Sequence, residues 1–138
     1  MLSNKARYAL RALFLLADAG SAPATIGMLA EQLAAPRKFL EAILLELNRA
    51  GVVTSRRGRF GGYALARAPE DISVADVIRI VDGPLALAPC ASVTAPGRCP
   101  TCPDLETCPL RPAFVASRNA VAAVLEGWTL ADRVIPIY

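Results

Sequence analysis

Over the first fifty residues apolar positions recur at three-to-four spacing in three separate runs, the signature of consecutive amphipathic helices. Ser3 or Asn4 can cap the first, which the pattern carries to about Ala19 and which Gly20 stops. Its predicted inner face holds Ala6, Ala9, Leu10, Leu13, Leu16 and Ala17. After the turn SAPA, Thr25 caps a short helix whose predicted buried stripe is Ile26, Leu29, Ala30 and Leu33. A break at Ala34 and Ala35 leads into Pro36, which suits the first position of a third helix. That helix is expected to run through Ala50, with Leu40, Ile43, Leu44 and Leu47 facing inward, and to close on Gly51.

The period then changes. Residues 52–55 and 62–66 have strand composition, and Gly58, Gly61 and Gly62 supply the positive-φ positions that a hairpin tip requires. A linker at residues 68–72 precedes a fourth helix capped by Ser73 and reaching about Val81. Residues 83–109 show no periodicity and hold six of the eleven prolines and all four cysteines. A loop longer than about 12–15 residues is usually functional or disordered. Pro112 opens a fifth helix through about Glu126, with Phe114, Val115, Val121, Val124 and Leu125 as its apolar positions and Gly127 as its end. Thr129 with Asp132 resembles the cap of a last short helix. The pattern predicts a mainly α fold with one small β-hairpin, and no internal repeat is visible.

Charge sharpens this picture. Residues 1–68 carry ten Lys/Arg against four acids, a net +6, whereas residues 69–138 carry five Arg against eight acids, a net −3. A basic first half points to a polyanionic partner. The chain has no histidine, which removes the commonest general base and every Ser-His or Cys-His nucleophile pair. The N-terminus has the outline of a secretory leader, but Arg11 and Asp18 interrupt it and leave an unbroken apolar run only at residues 12–17. A leader needs about 7–15 apolar residues and a membrane span about 18, so an amphipathic helix in a cytoplasmic protein is expected. In that reducing compartment four cysteines suit ligation or sensing better than structural disulfides.

Two short helices joined by a tight turn, followed by a basic hairpin, have the order of a winged helix-turn-helix. In such a unit the second helix enters the major groove by its N-terminal residues, here Arg37, Lys38 and Glu41. Arg37 and Lys38 suit phosphates or guanine edges, and Glu41 can accept from a cytosine amino group. On the hairpin, Arg56, Arg57, Arg59 and Arg67 stand with no acid from Ser55 to Ala68. Four guanidinium groups in one small hairpin repel each other until a counter-charge arrives, and their planar forks suit phosphate pairing and a narrow minor groove. A solvated charged surface is the plainer reading of both clusters.

Cys90, Cys99, Cys102 and Cys108 follow a C-x8-C-x2-C-x5-C spacing. Four thiolates can complete a zinc site or an iron–sulfur cluster. Only Cys99 and Cys102 form a close pair, where a zinc ribbon would show two. The surrounding prolines hold the loop open, which favours a cluster. Zinc, thiol switching and inert cysteines stay open on the residues alone.

The runs KARYALRAL, FLEAILLELNRAGVVTSRRGRFGGYALAR and ISVADVIRIVDG, with the later C…C-x5-C-x-L-R, together resemble the Rrf2-type family of bacterial regulators. The most specific mark is RG-x-x-GGY at residues 57–63. That family includes regulators of iron–sulfur biogenesis, nitric-oxide sensors and iron-responsive repressors. The resemblance implies a homodimer built on the helix that Pro112 opens, reading a pseudo-palindromic operator in double-stranded DNA. Arg57 then stands at the wing position inserted into the minor groove, and Glu41 where some members read bases. On this basis residues 1–68 are expected to form the DNA-binding unit, and residues 69–138 the sensor loop and dimerisation helix of one compact chain.

The resemblance further implies three loop cysteines as ligands of an iron–sulfur cluster, matched by Cys90, Cys102 and Cys108. The family's customary fourth donors are missing. Arg111 stands where one type has histidine, and Arg7 and Tyr8 where another has an acid from the partner's first helix. Cys99 is the expected replacement, giving all-cysteine ligation of a cluster with two or four irons. A zinc- or thiol-based regulator is the alternative. A redox enzyme or electron carrier is the least favoured, since Gly58–Gly62 is too short for a phosphate-cradling loop and opens no helix.

Overall fold

The structure is a computed structural model that describes residues 1–102 and 104–132. Among these residues the elements are α1 (Asn4–Ala19), α2 (Ile26–Leu33), α3 (Arg37–Arg49), β1 (Val53–Arg56), β2 (Gly62–Leu65), α4 (Val74–Val81) and α5 (Arg111–Gly127). The chain is mainly helical, with β1 and β2 forming a two-stranded antiparallel sheet in the register Val53 opposite Leu65 and Arg56 opposite Gly62.

Local chemistry sets most of the boundaries. The Ser3 hydroxyl accepts from the Ala6 N–H at 3.0 Å, which satisfies one of the free donors at the start of α1. Thr25 does the same for α2 by accepting from Met28, and Ser73 and Asp76 form a reciprocal capping box on α4. Gly20, at φ 64°, ends α1. Pro36 lies one place earlier than its helix-starting chemistry predicts. It adopts an extended ψ of 134° as the cap of α3, so the helix proper begins at Arg37. Ala50 and Gly51 end α3 in a Schellman turn, with the Val52 N–H donating to Leu47 and the Gly51 N–H to Asn48.

The core is one cluster in which Leu13 and Leu16 of α1, Leu29 and Leu33 of α2, and Leu40, Ile43, Leu44 and Leu47 of α3 meet. Val52, Val53, Ile72, Val77, Val81 and Leu130 join it, so α4 and the residues after α5 share a core with the helix pair. Leu10, Ala17, Ile26 and Ala30, expected on the inner faces, are only half-buried at its edge. The Ser3 N–H and hydroxyl both bond to the Asp82 carboxylate, tying the start of α1 to the end of α4.

Helix α5 is different. Of its residues only Ala122 is buried, and the apolar Val121 and Val124 are exposed. Its far end returns to the core through two backbone bonds, Val74 N–H to Trp128 at 2.8 Å and Leu130 N–H to Ile72 at 3.0 Å. The Thr129–Asp132 contact forms, with the Thr129 N–H donating to the carboxylate at 2.7 Å. The short helix expected after it lies outside the described residues.

Ala34 ends α2 in the left-handed region at φ 50°, with its N–H bonded to Glu31 and the Ala35 N–H to Ala30. A left-handed residue with a Cβ costs about 1–2 kcal/mol, partly offset by the entropy glycine would lose on folding. Ala34→Gly is therefore expected to stabilise the protein by about 0.5–1 kcal/mol, read as a higher urea midpoint at unchanged m. Gly62→Ala should act in the opposite sense. A Cβ there would stand 2.6 Å from the Ala24 carbonyl oxygen at a φ of 147°, and a loss of about 1–3 kcal/mol is expected in the same titration.

Candidate nucleic-acid interface and thiol pocket

Three features hold the hairpin and α3 in one frame. Residue Ala24, between α1 and α2, exchanges two 2.8 Å backbone hydrogen bonds with Tyr63 of β2, so the hairpin docks on the turn that precedes the helix pair. Gly62 permits this close approach, since any side chain would meet the Ala24 backbone. The Asn48 amide donates to the Val53 carbonyl at 3.1 Å, linking the end of α3 to the start of β1.

The six candidate DNA-contacting residues, Arg37, Lys38, Glu41, Arg56, Arg57 and Arg59, are all exposed. The structure sorts them into two groups, one at the start of α3 and one on the hairpin. None of the five cations pairs with a carboxylate among the described residues, whereas Lys5 pairs with Glu46 and Arg79 with Asp76 and Glu126. This candidate surface is thus left without counter-charge from the described residues. No side chain caps the first turn of α3, so its N–H groups face outward as an anion site would require. Arg37 is the more constrained cation, its guanidinium lying against Gly27 at the start of α2, where an added Cβ would stand 3.2 Å away. Ala42 and Leu45 share the exposed face of Lys38 and Glu41. Sequence reading passed over them, although their i+4 and i+7 spacing from Lys38 was the available signal. Apolar groups there suit thymine methyls.

The four cysteines come together at the other end of the chain. All are half-buried and line one cavity of about 330 Å³ beside the start of α5, with Phe114 and Leu110 supplying an apolar wall. They sit as two thiol pairs, Cys90 with Cys99 and Cys102 with Cys108. No group of three or more His, Cys, Asp or Glu among the described residues is arranged to hold a single metal ion. Four soft thiols lining one cavity are the donor type that iron–sulfur clusters take.

The thiols differ electrostatically. Burial pushes the Cys90 thiol up, reinforced by its partner Cys99 and by the charge of Cys99 and Cys108, with Arg111 acting against them. Burial likewise raises Cys102, with Cys108 as hydrogen-bond partner. Cys108 goes the other way, because the Leu110 and Arg111 backbone N–H groups at the start of α5 stabilise its thiolate. Arg111 also donates from Nε to the Cys90 carbonyl at 3.4 Å, so the first residue of α5 bridges both ends of the cysteine loop.

Comparison with known proteins agrees with this architecture. The profile of the Rrf2 family, described as an iron-dependent transcriptional regulator, matches residues 2–135. An rrf2-like HTH-type transcriptional regulator of Rhodobacter capsulatus is 40% identical over 136 residues, covering 96% of this chain and 91% of its own. Among solved structures, CymR of B. subtilis, described as the global cysteine regulator, superposes with a TM-score of 0.76 at 30% identity, covering 96% of this chain and 94% of that one. IscR of T. potens gives a TM-score of 0.71 at 31% identity, over 96% of this chain and 84% of that one. No helix among the described residues is long and apolar enough to cross a membrane.

The thiol electrostatics predict an order of reactivity. In reduced, metal-free protein near neutral pH, iodoacetamide should modify Cys108 before Cys90 or Cys102, because only the thiolate attacks. Peptide mass mapping over a time course reads this order, and simultaneous or reversed labelling would contradict the assignment.

Proposed function

The chain belongs to the Rrf2 family of transcriptional regulators, and from that premise we propose that it is a homodimer whose operator affinity is set by an iron–sulfur cluster in the cysteine loop. As a family member it is a DNA-binding regulator and not an enzyme. In this reading residues 1–68 grip DNA, and residues 69–138 carry the sensor and the dimer helix. Arg37, Lys38, Arg56, Arg57 and Arg59 meet phosphates and groove edges, and Glu41 selects among bases. The observation that carries the DNA-contact assignment is the set of five exposed cations with no carboxylate partner among the described residues. The apolar residues left uncovered on α5, Val121 and Val124 among them, support its use as the dimer helix.

Cys90, Cys99, Cys102 and Cys108 would hold the cluster. Their softness, their number and their shared cavity support this, and Cys99 supplies the ligand that Arg111 cannot. When bound, the cluster supplies a centre whose charge and integrity respond to iron and to redox chemistry. The chain's own contacts carry such a change outward. Cys108 is held by the N–H groups of α5, α5 is joined to α4 through Trp128 and Leu130, and α4 packs on α1 and α3. A tenfold change in DNA affinity needs only about 1.4 kcal/mol of coupling.

A second reading has one specific observation in its favour. Cys90 is hydrogen-bonded to Cys99 and Cys102 to Cys108, which suits two disulfides, each formed as a molecule of hydrogen peroxide takes up two electrons and two protons and leaves as two waters. A zinc site is less well supported, because the cysteine spacing holds one close pair where a zinc ribbon holds two.

Anaerobic purification with iron, sulfide and zinc analysis separates these readings. The cluster predicts a coloured protein with matched iron and sulfide, and Cys99→Ser should weaken or shift its charge-transfer absorption. A colourless protein whose thiols oxidise pairwise would replace the cluster with the disulfide reading, and stoichiometric zinc would replace both. For DNA, log K should fall linearly with log salt in mobility-shift titrations, and Arg57→Ala should reduce the slope by about 1. Binding that ignores salt would remove the phosphate grip.

A further inference from the structure

The most exposed large hydrophobic side chain among the described residues, Met1 apart, is Phe60, 87% accessible at the tip of the arginine hairpin. The Gly61 N–H donates to the Gly58 carbonyl at 3.0 Å, closing a β-turn whose two corner residues are Arg59 and Phe60. The corner is rigidly specified. Gly58 has a φ of 103°, and a Cβ on Gly61 would stand 2.2 Å from the Arg56 carbonyl oxygen. Both corner side chains therefore project beyond the hairpin body, with the Arg59 guanidinium 5.7 Å from the centre of the Phe60 ring.

Nothing in the free chain accounts for a phenylalanine here. Turn corners favour small or polar residues, and this ring packs against no core residue. Leaving it in water forgoes the benefit of burying it, about 1.5–3 kcal/mol. The surroundings identify what covers it. Arg56, Arg57, Arg59 and Arg67 stand on the same hairpin without carboxylate partners among the described residues, which selects a polyanion. An apolar ring carried between guanidinium groups on a narrow protrusion fits the minor groove of a duplex, where inserted apolar side chains part stacked bases while flanking arginines meet the phosphates.

We propose that Phe60 is a minor-groove wedge, unstacking one base step where the wing enters and bending the duplex, with Arg59 stacked beside it as the phosphate anchor. This rests on the reading that the wing contacts DNA, and it adds a second kind of recognition there. Arginines on the wing give affinity that depends on salt. The ring gives selectivity for easily unstacked pyrimidine–purine steps, through deformation and without hydrogen bonds to base edges.

The test uses the intact dimer and the duplex it selects from a randomised pool, labelled at both ends for energy transfer and carrying 2-aminopurine at successive positions under the wing. Wild type should shorten the end-to-end distance by a bend of roughly 20° or more and brighten 2-aminopurine at one step. Phe60→Ala should lose both signals and about tenfold in affinity, with the salt slope unchanged because no phosphate contact is removed. Phe60→Leu, still apolar, should keep most of the bend. Arg57→Ala should instead reduce the slope. If Arg57→Ala weakens binding while Phe60→Ala binds and bends as wild type does, the wing grips DNA but the wedge is wrong. If neither substitution matters, the wing does not touch DNA and both readings fall.

Discussion

Two backbone hydrogen bonds between Ala24 and Tyr63 fix where the arginine hairpin stands relative to α3, and the grip proposed for DNA depends on that placement. A two-stranded hairpin alone is at best marginally stable in water. Here it is held from three sides, by Ala24, by the Asn48 amide and by the core residues Val52 and Val53. Gly62 is the point on which this arrangement turns, because only a residue without a Cβ lets the strand approach Ala24 so closely. A mutual register of helix and wing is what a protein reading two adjacent grooves requires.

The same economy is visible in charge. The acids Glu46, Asp76 and Glu126 are engaged with Lys5 or Arg79, away from the hairpin. The basic surface is therefore a local feature of placement, and the chain's overall net charge of +3 understates it. At the thiol end the chain does the reverse, setting backbone N–H donors beside Cys108 and the Arg111 guanidinium near Cys90 and Cys108, so that sulfur atoms of one chemical type differ in their ease of ionisation.

Much of the architecture was legible in the sequence because local chemistry decided it. Ser3, Thr25 and Ser73 act as caps where their patterns put them, and Gly20 and Gly51 end helices by the conformation glycine favours. The strand edges differed by only one residue, since a hairpin's register is fixed by its turn. What escaped was decided by distant contacts. The half-burial of Leu10 and Ile26 depends on what packs at the rim of the core, and the left-handed Ala34 departs from the glycine that its position favours. For the candidate site, spacing found the cysteines and the basic residues. It could not reveal that the thiols pair off, that Arg111 reaches back to Cys90, or that Arg37 leans on Gly27. Those are properties of three-dimensional proximity, invisible at intervals of ten or twenty residues.

Helix α5 is clamped at both extremities, by Arg111 and Cys108 at one and by the Trp128 and Leu130 backbone bonds at the other, while its middle is scarcely covered. Such a member behaves like a strut pinned at two joints. Bonds at both ends restrain it from fraying at either, so its thinly covered middle is held as one straight segment between the cysteine loop and α4.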